Sequence, residues 1–253
     1  MSERRPAVPR NTTLVLETDH GVVTLGPDVF VVFIDETGEE SFRDPRYPLF
    51  GLGGCAVQVG HFEEFVDLPW RYMKNQWFGG EDSRLHAADL LTPTADQLKA
   101  LAHLFTRFEF CRVAAMISAD ALLGTDHPPY QLVAGVLMKR IAAVASWQRF
   151  SRVALVFEAS DRGDPLAMRY FNEFESLQAE GRSMPIEKYL APKSLISGME
   201  VADFVMHAAG GAVRTWMQTG EKPRRRDYTA VFNSVDERLV SYLNITKTEA
   251  SEP

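Results

Sequence analysis

Short, nearly continuous apolar runs alternate along this chain with stretches whose apolar residues recur every three or four positions. That is the pattern of strands buried on both faces and interleaved with helices. Thr13 to Glu17 and Val22 to Leu25, on either side of a Thr-Asp-His-Gly turn, predict a small leading hairpin. Phe30 to Asp35, Leu49 to Val57, Phe110 to Ser118, Val153 to Phe157 and Ile186 to Leu190 then read as five core strands. Helices are predicted over Phe62 to Trp77, near Ala87 to Leu91, over Ala95 to Arg107, over Tyr130 to Trp147, near Pro165 to Ala179 and over Ser197 to Val213. This order implies an α/β fold in which a mixed five-stranded sheet carries helices on both faces. The segment from about His61 to Glu109 is a helical insertion between the second and third strands, long enough to form a cap over a site. No repeat or linker divides the chain. The expected organisation is a disordered tail at 1–12, one domain at 13–230, and a C-terminal helix or turn with a flexible tail at 231–253.

The polar positions that interrupt these runs carry the chemistry. In VVFIDETGEE, Val31 to Glu40, apolar strand formers deliver Asp35 and Glu36 into a Thr-Gly turn. A carboxylate at the end of a buried strand needs a cation, a proton or a hydrogen-bond network to offset its desolvation. The acidic strand of a P-loop ATPase has this form, but the chain contains no Gly-Lys-Ser or Gly-Lys-Thr phosphate loop. An aspartyl-phosphate phosphatase usually has a second Asp two positions on, where this chain has Thr37. A metal site built from distant carboxylates predicts further acids elsewhere, and two places supply them. VALVFEAS, Val153 to Ser160, puts Glu158 near the end of another strand, with Asp161 just beyond. In the apolar helix SGMEVADFVMHAAGGAV, Glu200, Asp203 and His207 are three and four apart and so share one face.

The order IDETG, FGLGGCAV and MEVADF resembles the domain of unknown function 3800 family, whose members have a ribonuclease H-like fold. The likeness spans roughly Phe30 to Val213 and matches Asp35, Gly38 and Asp203 residue by residue. Thr37 stands where Ser is commoner, Glu200 where the family tends to have Gln, and Glu158 where Asp is more frequent. The resemblance also implies a polar or basic residue near His86, in EDSRLHAADLL. His86 is then either a group that reaches the cleft or an exposed histidine near a helix that Asp82 or Ser83 caps. His207 is either a partner that orients Asp203 or a core histidine satisfied by a carbonyl.

An all-carboxylate set suits Mg²⁺ or Mn²⁺, whereas the absence of cysteine and of paired histidines from it disfavours zinc. In a two-metal phosphodiester hydrolase, Asp35 is the expected bridging ligand, Glu158 and Asp203 hold one ion each, and Glu200 or Asp161 is a fourth ligand. Glu36, adjacent on the strand, is expected either behind the residues that touch the metal or on the opposite face of the strand. Lys193 and Ser194, just before the Asp203 helix, are placed to meet a phosphate at its N-terminal end. The run Lys222, Arg224, Arg225, Arg226, with Tyr228 after it, is either a solvated surface segment or a contact to nucleic acid.

The expectation is therefore a metal-dependent nuclease that acts on DNA or RNA. The alternatives are a catalytically silent ribonuclease H-like module that binds nucleic acid or protein, and an acidic cluster that only caps turns. A formal charge of −7 argues against a general nucleic-acid coat protein. Cys55 and Cys111 fall in predicted strands and read as reduced core thiols. No apolar stretch is long enough to span a membrane, and the basic start is followed by no signal core, so the expected location is cytoplasmic.

Overall fold

The computed structural model describes residues 12–44, 48–122, 126–146, 149–159, 163–192, 196–221, 226–234 and 236–246. β1 (Leu14–Thr18) and β2 (Gly21–Leu25) form the expected antiparallel hairpin. The main sheet contains β3 (Val29–Gly38), β4 (Leu49–Gln58), β5 (Cys111–Ser118), β6 (Arg152–Glu158), β7 (Ser176–Ala179), β8 (Arg182–Ala191) and β9 (Val240–Ile245). Their spatial order is β7-β8-β6-β3-β4-β5-β9. β3, β4 and β5 form an antiparallel meander, β6 and β8 run parallel to β3, β9 runs parallel to β5, and β7 is antiparallel to β8.

The sheet thus has seven strands rather than five, and both additions correct the sequence expectation. The helix expected near Pro165 to Ala179 ends early: α5 spans Gly163–Phe171, and Ser176–Ala179 pairs with β8 instead. Its turn is Glu180-Gly181, with φ of 49° and 74°. Positive φ at both central residues is what a two-residue hairpin of this hand requires. The second addition, β9, lies in the segment expected to be a C-terminal helix or turn. Its Tyr242 ring packs against Phe232 with centroids 5.2 Å apart and the planes tilted by 50°, and Ile245 is buried in the core. Pairing with β5 covers an edge whose N–H and C=O groups would otherwise be open.

The remaining helices are α1 (Val59–Phe62), α2 (Leu68–Trp77), α3 (Ala95–Arg107), α4 (Pro129–Ala145), α6 (Ser197–Thr219) and α7 (Arg226–Phe232). A π-helical turn, Glu63–Asp67, joins α1 to α2. Pro69, which lacks an N–H and crowds the carbonyl four residues earlier, follows that turn directly, so the wider turn absorbs the lost hydrogen bond. α3 opens with a capping box in which Thr94 accepts from the Gln97 N–H and the Gln97 side chain accepts from the Thr94 N–H. The helix expected near Ala87 to Leu91 is only a 3-10 turn, Ala87–Asp89.

β3 runs through the centre, so both of its faces are buried. Phe30, Val32 and Ile34 pack with Tyr130, Leu137 and Ile141 of α4 and Phe171 of α5. Val31 and Phe33 pack with Val201 and Val205 of α6, Trp70 of α2 and Phe105 of α3. Each such side chain contributes roughly 1.5–3 kcal/mol through burial. Because α2 and α3 belong to this second core, the insertion is a structural layer and not a separate cap. Cys55 and Cys111 are free, buried thiols; burial raises both, Cys111 to about 12, against a smaller opposing effect of Arg112.

α6 lies unusually close to the sheet. A Cβ on Gly198 would sit 2.3 Å from ring carbons of Phe33, and one on Gly54 would sit 2.7 Å from the Ala202 Cβ. The glycines of β4 therefore make room for a helix and for neighbouring backbone. Gly198→Ala gains roughly 1 kcal/mol of helix propensity but overpacks against a side chain that cannot yield, at about 1–3 kcal/mol. The expected result is a lower melting temperature in a thermal scan; an unchanged or higher one would show that the helix does not press on Phe33.

Candidate functional site

The alternation along β3 decides what its two acids do. Asp35 shares a face with Val31 and Phe33, toward α6, and Glu36 shares the other with Val32 and Ile34. On that opposite face the Tyr130 hydroxyl donates to Glu36 Oε1 at 3.3 Å. Glu36 is therefore turned away from the position at which Asp35 points, the second of the two placements expected for it.

The parallel register of β3 and β6 ends at Ile34 beside Phe157; β6 stops at the next residue, Glu158, while β3 continues through Asp35 to Gly38 paired with β4, so Asp35 and Glu158 stand where the two strands part. α6 passes above, with Gly198 over Phe33 and Gly210 over Thr37, and brings Asp203 to the same place. The three carboxylates influence one another. Asp35 is raised well above the ordinary 3.8, first by burial and then by the charge of Asp203, with smaller contributions from Glu158 and Glu36; the Glu36 N–H opposes them. Asp35 retains some exposed surface, but protein packs densely around its carboxylate. Asp203 is also raised, first by burial and further by Glu158, against the Ala87 N–H, His86 and Arg84. Among the described residues, Asp35 has no ion-pair partner.

The segment Ser83 to Asp89 of the insertion supplies positive and N–H groups to this cluster. The Ala87 N–H donates to Asp203 Oδ2 at 2.6 Å, and His86 Nε2 faces Asp203 Oδ1 at 3.4 Å. The Ala88 N–H donates to His86 Nδ1 at 3.3 Å, which assigns the proton of the neutral ring to Nε2, the nitrogen facing Asp203. Arg84 Nη2 lies 3.4 Å from Glu158 Oε1. Ser83 does not cap a helix; its hydroxyl donates to the carbonyls of Phe78 and Gly80 and closes the preceding loop.

Glu200 stands apart from the cluster expected to include it. It shares the helix face of Asp203 but is buried one turn earlier, where its carboxylate is fully engaged. Oε2 accepts from Lys74 Nζ at 2.8 Å and from the Trp70 indole at 2.6 Å, and Oε1 accepts from the Leu85 N–H at 2.9 Å. Lys74 Nζ also donates to the Ser83 carbonyl at 2.7 Å. Glu200 is the anionic half of a buried ion pair that fastens α2 and the 83–85 segment to α6, and it is not available as a metal ligand. The sequence does carry a signal for its partner: Val66, Trp70, Met73 and Lys74 recur at helical spacing, which places a lysine inside an apolar stripe.

His207 lines an apolar pocket with Ala87, Leu90, Phe105, Phe204 and Val231, behind the Ala87–Asp89 turn. Asp161, Lys193, Ser194, Lys222, Arg224 and Arg225, and the side chains of Arg226 and Tyr228, lie outside the described residues.

Among the described residues, no group of three or more His, Cys, Asp or Glu side chains is arranged to hold one metal ion. Glu158 faces Arg84, and both oxygens of Asp203 are engaged by the insertion. The donor chemistry of the cluster still fits a hard divalent cation. Its donors are all oxygen, and Asp35 is a buried carboxylate with no ion-pair partner among the described residues. Among the described residues, no helix is long and apolar enough to cross a membrane. No protein-family model, curated protein or solved structure matches the chain.

Proposed function

We propose that this chain is a divalent-metal-dependent phosphodiester hydrolase, a nuclease of ribonuclease H-like architecture related to the domain of unknown function 3800 family. The observation that carries the reading is the convergence of Asp35, Glu158 and Asp203 from β3, β6 and α6 despite their mutual repulsion. A fold that only needed turns capped would have no reason to gather them. The five strands read from the sequence lie side by side as β8-β6-β3-β4-β5, with β3, β4 and β5 antiparallel and β6 and β8 parallel to β3, which supports the ribonuclease H-like assignment.

Asp35, Glu158 and Asp203 are the residues that would hold Mg²⁺ or Mn²⁺; bound there, the cation supplies neutralising charge and Lewis-acid activation of an attacking water and a leaving oxygen. The Ala87 N–H fixes the orientation of Asp203. His86 holds a proton at Nε2 beside that carboxylate, within the cleft. α6 and the 83–89 segment together screen the inner side of the cluster from water.

The test is a Mn²⁺ and Mg²⁺ titration of the wild type, Asp35→Asn and Asp203→Asn by calorimetry and thermal shift, followed by cleavage assays on single- and double-stranded DNA and RNA. At a hundredfold excess over Kd, binding stabilises the wild type by about 2.7 kcal/mol. Loss of this effect in both variants, and a fall in cleavage of about 10²–10³-fold or more, is the expected result. A second reading, the catalytically silent binding module, is favoured by Arg84 and His86, which face two of the carboxylates with a guanidinium and a ring N–H without any metal. Binding of nucleic acid without cleavage, retained in Asp35→Asn, would establish that reading instead.

A further inference from the structure

We infer that Arg84 grips the phosphate of a nucleic-acid strand entering the site, an assignment that rests on the nuclease reading and extends it. The backbone around Arg84 is fastened at three points: the Ser83 carbonyl to Lys74, the Leu85 N–H to Glu200 and the Ala87 N–H to Asp203. Two of these anchors are themselves buried, so the segment is held as firmly as the core beneath it. Side chains that leave a pinned, extended segment on the open side are presented and not merely tolerated.

The guanidinium of Arg84 is underused where it stands. Among the described residues its one polar contact is Glu158, through a single nitrogen at 3.4 Å, and 48% of its side chain is exposed. An arginine that served only to neutralise a carboxylate would form the short bidentate pair that its planar fork favours. This one, half-exposed at the rim of a strongly acidic cleft, leaves most of its five donors without a protein partner among the described residues. An anionic diester approaching Asp35, Glu158 and Asp203 meets repulsion, and a permanent cation at the rim offsets it. The fork also matches two phosphate oxygens in a way that a lysine ammonium does not. The guanidinium is close enough to both Glu158 and Asp203 to act on their charge, which places a bound phosphate beside the carboxylates.

The experiment compares wild type, Arg84→Met, Arg84→Lys and Arg71→Met. Arg71 pairs with Glu81 and Asp67 away from the carboxylates and serves as the control for loss of one surface charge. Binding of a fluorescein-labelled oligothymidylate is read by anisotropy, and hydrolysis of bis(p-nitrophenyl) phosphate is read with Mn²⁺. Arg84→Met is expected to weaken oligonucleotide binding about 10- to 100-fold, the worth of hydrogen bonds to a charged group. Arg84→Lys recovers only part of this, Arg71→Met binds as the wild type does, and KM for the diester rises in Arg84→Met. Equal binding by wild type and Arg84→Met, or no binding by the wild type, overturns the assignment. Hydrolysis with an unchanged KM in Arg84→Met would overturn it while leaving the nuclease reading intact. Arg84-dependent binding without hydrolysis in any protein would keep Arg84 as the phosphate contact and overturn the nuclease reading.

Discussion

Lys74→Met is expected to cost about 3–5 kcal/mol of stability, the usual consequence of stripping one partner from a buried ion pair. Lys74 and Glu200 have side chains only 2% and 6% exposed, and the methionine would leave a buried carboxylate with the Trp70 and Leu85 N–H groups but no cation. At about 2–4 °C per kcal/mol for a chain of this size, the melting temperature should fall by roughly 6–20 °C. Adding Glu200→Gln should restore most of the loss. The amide oxygen still accepts from Trp70 or Leu85, and no buried charge is left unpaired. The pair also holds the 83–85 segment, so hydrogen exchange at the Leu85 and Ala87 amides should accelerate in Lys74→Met at temperatures well below its melt. A loss under 1 kcal/mol, or exchange unchanged at those amides, would show that the ion pair does not fasten the segment.

Asp35→Asn is expected to act in the opposite direction on stability while abolishing the proposed activity. In the metal-free protein the Asp35 carboxylate is raised well above 3.8, first by burial and then by the Asp203 charge, so the folded state holds a proton that the unfolded chain releases. The folded protein binds more protons than the unfolded chain between 3.8 and the raised value, so stability falls as pH rises through that window. Above it the wild type carries the full cost of an ionised, buried and repelled group. Asn carries none, and the variant should melt higher at pH 7.5 by on the order of 1 kcal/mol. The difference should close as pH falls toward 4, because the wild-type carboxyl then becomes neutral too. Addition of Mn²⁺ should raise the wild-type melt and leave the variant where it was. A variant less stable than the wild type at pH 7.5 would mean that the carboxylate is already satisfied, and would remove the argument for a cation there.

These two residues also mark what was and was not legible in the sequence. Asp35 could be read because its signal is local: a strand buried on both faces announces itself as VVFI, and an acid at the end of it has few bland explanations. Asp203 could be read because helical spacing put it on one face with Glu200 and His207. The same spacing misled for Glu200. Periodicity gives a face but not a depth, and one turn along α6 separates the open cleft from the buried contact with Lys74 and Trp70. That contact joins residues more than a hundred positions apart, which no window of sequence reports. Ala87–Asp89 has a helical composition yet forms only a 3-10 turn, because the fastening of Leu85 and Ala87 to α6 decides its form. β7 was missed for the reverse reason. Ser176 to Ala179 has little strand character of its own and pairs because the Glu180-Gly181 turn folds it back on β8.

β9 joins the sheet through Val240 opposite Arg112, partners separated by about half the chain. On a ribosome, the edge of β5 stays open until the chain has emerged through Ile245, and a long loop must close before that pairing can form. For that interval β5, buried and apolar when folded, is a template on which any passing strand can add. Completion of the sheet is thus a late event in the life of each molecule, and substitutions in Val240–Ile245 should act first on the yield of folded protein made in cells and only afterwards on the protein that succeeds in folding.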